Sequence, residues 1–294
     1  MRILVIGASG FIGQYLVRRL GQTPGHEIIG TFLSRAPGND GNSWHRLELT
    51  DAAGLEQLFR SSRPEVVVHL AAMADVGTAE RNPERATAVN TTATAAIARL
   101  CRMHDARLVF VSTEYVFDGT HGFYREDDAP NPTTHYGQTK WDAEQEVAKL
   151  DFSWSILRTS IVYGWPRPGG RNFVPWLVAS LQGGQPYLGS TGTMRTPVYV
   201  EHLVDGIVKL VENDHSDTHH VAGKDWVSMY DFALAVADGF HLDRGLVIST
   251  DGTPAQVPDM LGLDCSKTMS LLALPQPGLT EGIAAMRAST GKDA

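Results

Sequence analysis

The 294-residue chain reads as an α/β protein, a doubly wound parallel sheet with a smaller, interleaved C-terminal lobe. Three observations predict this. Continuous apolar runs alternate with segments of helical period through the first half, as buried parallel strands and their covering helices require. The first run stops at a glycine-rich turn that opens a helix, the first βα unit of a doubly wound sheet. After about Tyr163 the rhythm breaks into Pro/Gly loops, short strands and separated helices.

In chain order, Arg2–Ile6 is a β-branched run, and Phe11–Leu20 follows with Ile12, Leu16 and Leu20 on one helical face. Glu27–Phe32 is a second strand, Asp51–Phe59 a helix, and Glu65–Leu70 (EVVVHL) a third strand. Pro83 to Cys101 reads as one long helix, Leu108–Val111 as a fourth strand, and Tyr136–Leu150 as a helix leading to the strand at Trp154–Leu157. Beyond lie a WPRPGGRN loop, a helix at Phe173–Leu181, and a VYV strand at 198–200 that is expected to rejoin the sheet ahead of a helix reaching Val211. Tyr230–Gly239 and Thr280–Arg287 are the last helices. The expected division is a dinucleotide-binding domain over 1–163 plus about 196–222, and a substrate lobe over 164–195 and 223–294.

Composition narrows the function. Lys and Arg number 25 against 33 Asp and Glu, a net charge of −8, which disfavours a nucleic-acid binder. No apolar run is long enough to span a bilayer, so no membrane role is expected. Cys101 and Cys265 are the two cysteines, 164 positions apart and without C-x-x-C spacing, so a reducing, cytoplasmic setting is expected and neither zinc nor redox chemistry is. The run from Asp214 to His220 is rich in possible metal ligands but lies between a helix and a strand with no braced loop, and reads as a solvated turn; no metal is assigned.

Gly7, Gly10 and Gly13 stand in G-x-x-G-x-x-G spacing between the first strand and its helix, with Ser9, Phe11 and Ile12 between them. Glycines there permit the tight turn and let a pyrophosphate approach the backbone, while the helix N-terminus offers amides and a partial positive charge. The second strand ends in Ser34 and Arg35 with no carboxylate, so a 2′-phosphate is expected and NADPH is favoured, with NADH possible. Glu48 and Asp51 come later and are expected to flank the adenine.

Tyr136 and Lys140 stand four apart on one helix, where an ammonium is expected to lower the phenol pKa. Ser112 and Thr113 end the fourth strand, at the sheet edge where ligands bind in such folds.

GASGFIG, HLAAMA, VSTEYVFDG, YGQTK and LRTSIVYG occur in the order found in extended short-chain dehydrogenases/reductases. Within that superfamily the chain resembles the dTDP-4-dehydrorhamnose reductase group, through STEYVFDG, YGQTK, Arg171-Asn172-Phe173 and the tail LGLDCSKTMSLLALP with LTEGI. The resemblance covers essentially the whole chain. It implies an NADPH-dependent reduction of the 4-keto group of a nucleotide-linked 4-keto-6-deoxy sugar. Tyr136 would protonate the developing alkoxide, Lys140 would hold the nicotinamide ribose, and Thr113 would orient the carbonyl oxygen. It also implies a cofactor groove lined by Leu49, Leu70, Ala71, Ala72 and Met73, supported by Asn90, with Ser112, Thr159 and Ser160 toward the nicotinamide. Substrate contacts would come from Val76, Glu114, Trp165, Asn172, Phe173 and Arg195, the last against a diphosphate. A homodimer is the family expectation.

Three departures stand out. Glu114 replaces the Asp usual after the Thr, GASGFIG replaces the group's GxxGQ form, and STGTMRTPVYV lacks an acidic-Gln pair before its Pro. Two other functions compete. A nucleotide-sugar epimerase or dehydratase would recycle a bound cofactor, but dehydratases place Asp-Glu where this chain has Glu114-Tyr115. A regulatory subunit binding NADP and a partner enzyme would not need the Thr/Tyr/Lys set.

Overall fold

The computed structural model describes residues 1–34, 37, 41–167, 170–252 and 257–289. They fall into two compact units. The first comprises Met1–Val116, Pro132–Arg158 and Val204–His219, and the second Phe117–Asn131, Thr159–Leu203 and His220–Ala294.

The first unit is the wound sheet. Its elements are β1 (Arg2–Ile6), α1 (Phe11–Gly21), β2 (Glu27–Phe32), β3 (Ser43–Arg46), α2 (Ala52–Ser62), β4 (Val66–His69), α3 (Val76–Arg81), α4 (Pro83–Ala86), α5 (Ala93–Met103), β5 (Arg107–Thr113), α6 (His135–Ala148) and β6 (Trp154–Thr159). The sheet runs β3-β2-β1-β4-β5-β6 and ends in an edge strand, Thr218–His220. β1 pairs parallel with β2 and β4, and β4 with β5, because these strands bury both faces and leave no polar side to turn to water. Leu4, Ile6, Val67, Leu108 and Phe110 are buried in its core with Ile97 and Cys101 of α5. The winding reverses between β1 and β4, so the crevice at their carboxyl ends is where such a sheet takes a ligand.

Short polar side chains set the helix entries. Asp51 accepts from Gly54 N at 3.0 Å, Asp75 from Thr78 N at 2.7 Å, and Thr134 from Gly137 N at 3.0 Å. The long helix expected over Pro83–Cys101 is instead broken. α4 and α5 are joined by a π-turn, Thr87–Thr92, an insertion often found at functional sites. The hydroxyl of Thr94 donates to Asn90 O at 2.6 Å across the turn, and Thr91 donates to Thr139 O at 2.8 Å.

The second unit is built from short pairings. Val198–Tyr199 does not rejoin the main sheet, as its sequence suggested, but pairs parallel with Val162–Tyr163. Tyr187–Ser190 pairs with Val247–Thr250, and Met194–Arg195 with Val227–Ser228. Segment 117–131, expected with the wound sheet, belongs here because Tyr124 bonds both ways to the tail: its amide to Gly262 O and its carbonyl to Asp264 N, each at 2.9 Å. Tyr163, Phe173 and Phe232 pack ring against ring within 5.2–5.4 Å.

The end of the 214–220 run is also corrected. Thr218–His220 is a strand, and His219 and His220 are fully buried rather than solvated. His219 bonds His215 O at 3.0 Å, and His220 bonds Asp264 O at 3.2 Å. Among the described residues no helix is long and apolar enough to cross a membrane.

Candidate active site

The turn after β1 is made for close backbone approach. Gly7 has φ +88°, and a Cβ there would lie 2.8 Å from Ala71 N, so another residue would press into the exit of β4. Its amide donates to Thr31 Oγ1 at 2.9 Å, and Ser9 N donates to Thr31 O at 3.2 Å. α1 opens at Gly10 with no capping side chain and no acidic residue in its first turn. The amides of Phe11, Ile12 and Gly13 therefore face the turn with the positive end of the helix dipole behind them. This cradle fits a pyrophosphate.

Beside it lies a cavity of about 230 Å³. Of the expected cofactor residues, Gly7, Leu49, Ala71, Ala72 and Met73 line it. Leu70 donates its amide to Ile6 O at 2.9 Å, extending the β1–β4 pairing into this wall. Thr31, Leu33, Glu48, Arg85 and Val89 also line it. Ser34 is exposed at the turn after β2, and Arg35 lies outside the described residues.

Asn90, in the π-turn, is buried. Its Oδ1 accepts from Met73 N at 2.8 Å, and its Nδ2 donates to Met73 O at 3.2 Å and to Thr139 Oγ1 at 3.0 Å. One carboxamide thus ties the cavity wall to α6.

α6 carries Tyr136 and Lys140 on its buried face. A Cβ on Gly137 would lie 2.0 Å from Tyr115 O, so the helix can meet the Glu114–Val116 turn this closely only with glycine after the tyrosine. The approach brings the Thr113 hydroxyl close enough to Tyr136 to favour its ionised form and sets Tyr115 edge-on to its ring, with centroids 5.7 Å apart. Thr113 Oγ1 also accepts from Tyr115 N at 3.2 Å.

The expected effect of Lys140 on the phenol is corrected by this geometry. Burial pushes the Tyr136 pKa up to about 12; the Thr113 hydroxyl opposes the rise, while Tyr115 and Glu114 add to it. The lysine amine instead donates to Val111 O at 2.8 Å and lies 4.0 Å from the centroid of the Phe110 ring. Burial holds the Lys140 pKa down to about 7, partly offset by Glu144 one turn on. The site therefore holds a protonated phenol beside a hydroxyl, with an amine that titrates near neutrality one helical turn away.

Ser112 is buried, and among the described residues its Oγ has no partner. Glu114 is buried on the turn after β5, and Val76 opens α3.

In the second unit, Thr159 donates to Val221 O at 2.8 Å, and Ser160 Oγ accepts from Thr196 N at 3.3 Å. Asn172 accepts from Gly164 N at 3.3 Å and donates to Val162 O at 2.9 Å, while Trp165 donates to Met286 O at 2.8 Å. Phe173 packs on Tyr187 and Phe232. Arg195, expected against a diphosphate, is a buried clamp. Its guanidinium donates to Met194 O at 2.6 Å, Asp259 O at 3.1 Å and Pro258 O at 2.9 Å.

Residues 1–290 match the family of the RmlD substrate binding domain. The chain belongs to this family. A probable low-salt glycan biosynthesis reductase of Haloferax volcanii is 32% identical over 98% of both chains. Methionine adenosyltransferase 2 subunit beta of Xenopus tropicalis is 30% identical over 90% of this chain and 81% of its own. Among solved structures, a hypothetical dTDP-4-dehydrorhamnose reductase from Sulfolobus tokodaii superposes with TM-score 0.85 at 31% identity, covering 96% of this chain and 99% of that one. The dTDP-4-dehydrorhamnose reductase of Bacillus anthracis, solved with NADP, gives TM-score 0.84 at 24% identity over 98% and 99%. The RmlD-family fold is thus dTDP-4-dehydrorhamnose reductase-like, and the relatives at 30% identity or more include proteins named as reductases.

Three site features are not among the functional residues that the sequence singles out. Glu144 and Arg158 form a buried ion pair behind Lys140, at 2.7 Å. His69 is fully buried and bonds Thr94 at 3.0 Å. Arg85 lines the cavity from α4, the start of the segment that reads as one long helix from Pro83.

Proposed function

We propose that this chain reduces the 4-keto group of a nucleotide-linked, dTDP-type 4-keto-6-deoxy sugar with NADPH, acting as a homodimer. The observation that carries the reading is the Thr113–Tyr136 contact in the same unit as the cradle after β1.

Bound at the cradle and cavity, the nicotinamide cofactor would supply the hydride. Gly7 and the first turn of α1 would hold its pyrophosphate, and Leu49, Ala71 and Met73 its adenosine half. Tyr136 gives its phenolic proton to the ketone oxygen, and its high pKa keeps that proton in place across the physiological range. Thr113 orients the same oxygen. Lys140, with a pKa near 7, returns a proton to the phenol and holds the ribose hydroxyls. Ser112 and Asn90 hold the groove beside them.

The test is absorbance at the reduced-nicotinamide band, with NADPH and NADH in parallel and dTDP-4-dehydrorhamnose generated in place. Rapid oxidation with wild type, absent in Tyr136→Phe while NADPH still binds, supports the reading. Full turnover in Tyr136→Phe sinks it. A second reading is favoured by the likeness to methionine adenosyltransferase 2 subunit beta, an NADP-binding regulatory subunit being its counterpart here. Tight NADPH binding with no turnover on any keto-sugar would select it.

A further inference from the structure

Arg85 is exposed at the third position of α4, and among the described residues the cavity it lines carries one other charged group, Glu48, in walls otherwise built from residues such as Leu33, Leu49, Met73 and Val89. Apolar walls of this kind take a flat base. In folds of this kind the group that meets the adenosine ribose 2′ position comes from the end of the second strand, and Leu33 beyond β2 lines the same cavity as Arg85. A lone Glu48 would accept a hydrogen bond from a 2′-hydroxyl and repel a 2′-phosphate. A guanidinium sharing the cavity reverses that balance, since arginine pairs with phosphate through two parallel charge-assisted hydrogen bonds.

We infer that Arg85 is a specificity-determining residue, the cation that gives a 2′-phosphorylated dinucleotide its advantage over the unphosphorylated one, against the opposing charge of Glu48. The inference rests on the dinucleotide part of the proposed function. Arg85 brings this charge from the helix that leads into the π-turn of Asn90, and it lines the same cavity as Leu33 at the end of β2. Cofactor choice and the placement of Met73 then depend on adjacent residues.

The experiment is a fluorescence titration of the full chain with NADPH and with NADH, for wild type, Arg85→Gln, Arg85→Lys and Glu48→Gln, at two salt concentrations. Loss of a charged hydrogen-bonding group predicts that Arg85→Gln raises the NADPH Kd about tenfold or more, leaves the NADH Kd within about twofold, and flattens the salt dependence for NADPH. Arg85→Lys recovers part of the loss, and Glu48→Gln tightens NADPH. An unchanged NADPH Kd in Arg85→Gln overturns the assignment, as does equal weakening of both cofactors, which would mark a packing role. Wild type that binds neither dinucleotide overturns the assignment and the proposed function together. Intact binding selectivity without keto-sugar turnover overturns the proposed function alone.

Discussion

Asn90 clasps Met73 by its main chain, accepting from the amide at 2.8 Å and donating to the carbonyl at 3.2 Å, as a neighbouring strand would. The clasp completes a backbone pairing where β4 has ended, and the second Nδ2 hydrogen reaches Thr139 on α6. The π-turn explains how a helical residue can do this. An inserted residue swings Asn90 out of register, and Thr94 covers the carbonyl so released.

Asn90→Ala should therefore cost about 2–3 kcal/mol of stability, because it strands buried groups on Met73 and Thr139. It should also weaken NADPH binding about tenfold by loosening the cavity wall. Asn90→Asp keeps the acceptor for Met73 N but loses both donors, and should fall between wild type and the alanine variant. Denaturant midpoints and NADPH titrations check both effects. Unchanged values in Asn90→Ala would show that the clasp holds nothing.

Thr113→Val removes the hydroxyl that opposes the rise in the Tyr136 pKa and keeps the side-chain shape. The expected result is a fall in kcat of about 10²-fold with NADPH affinity within about twofold, the pattern of an interaction made in the transition state. Thr113→Ser should retain most of the rate. A fall in cofactor affinity that matches the fall in kcat would assign Thr113 to the groove instead.

His69 predicts a pH dependence. Its ring is fully buried, stacks on Phe110 at 5.5 Å, and bonds Thr94 Oγ1 at 3.0 Å. Thr94 commits its own hydrogen to Asn90 O, so the ring must be the donor and the neutral Nε2–H tautomer is selected. Burial, aided by Lys140, holds the His69 pKa down to about 3 from its ordinary 6.5. Between those values the unfolded chain binds the extra proton. Stability from this group is complete above about pH 6.5 and is lost as pH falls toward 3, by up to about 1.4 kcal/mol per pH unit. His69→Gln, which keeps a donor and does not titrate, should show a shallower acid loss in urea midpoints. Equal slopes for the two proteins would reject the assignment.

The cradle and the catalytic helix were legible because their signals are local. A glycine triplet between strand and helix needs no distant partner to be read, and neither does a Tyr and a Lys four apart. Arg195 and His220 were not legible in the same way. Each is defined by a main-chain carbonyl 44 to 64 residues away, and charge or imidazole chemistry in a sequence cannot show that its hydrogens are already taken. The edge strand Thr218–His220 failed for the opposite reason, since three polar residues carry no apolar run to mark a strand. The π-turn was invisible because nothing in the run Thr87–Thr92 marks an inserted residue, and the hold of Asn90 on Met73 that accompanies it spans 17 residues.

The last prediction concerns what keeps Lys140 in place. Tyr136, Lys140 and Glu144 follow one another at four-residue intervals along the buried face of α6, and Glu144 meets Arg158 of β6 with its carboxylate 2.7–3.2 Å from the guanidinium. The two side chains are 2% and 4% exposed. A pair so buried has spent much of its mutual attraction on desolvation, so removing one partner is worse than removing both. Glu144→Gln should cost about 3–5 kcal/mol, whereas Glu144→Leu with Arg158→Met should cost clearly less than the sum of the single changes. The carboxylate also raises the Lys140 pKa against burial, so Glu144→Gln should move the lysine titration below its present value near 7. A denaturant double-mutant cycle measures the coupling, and the Lys140 resonance followed with pH measures the shift. Additive single-variant costs, or an unmoved lysine titration, would mean that the pair is only a packing element of α6 and has no hold on the amine.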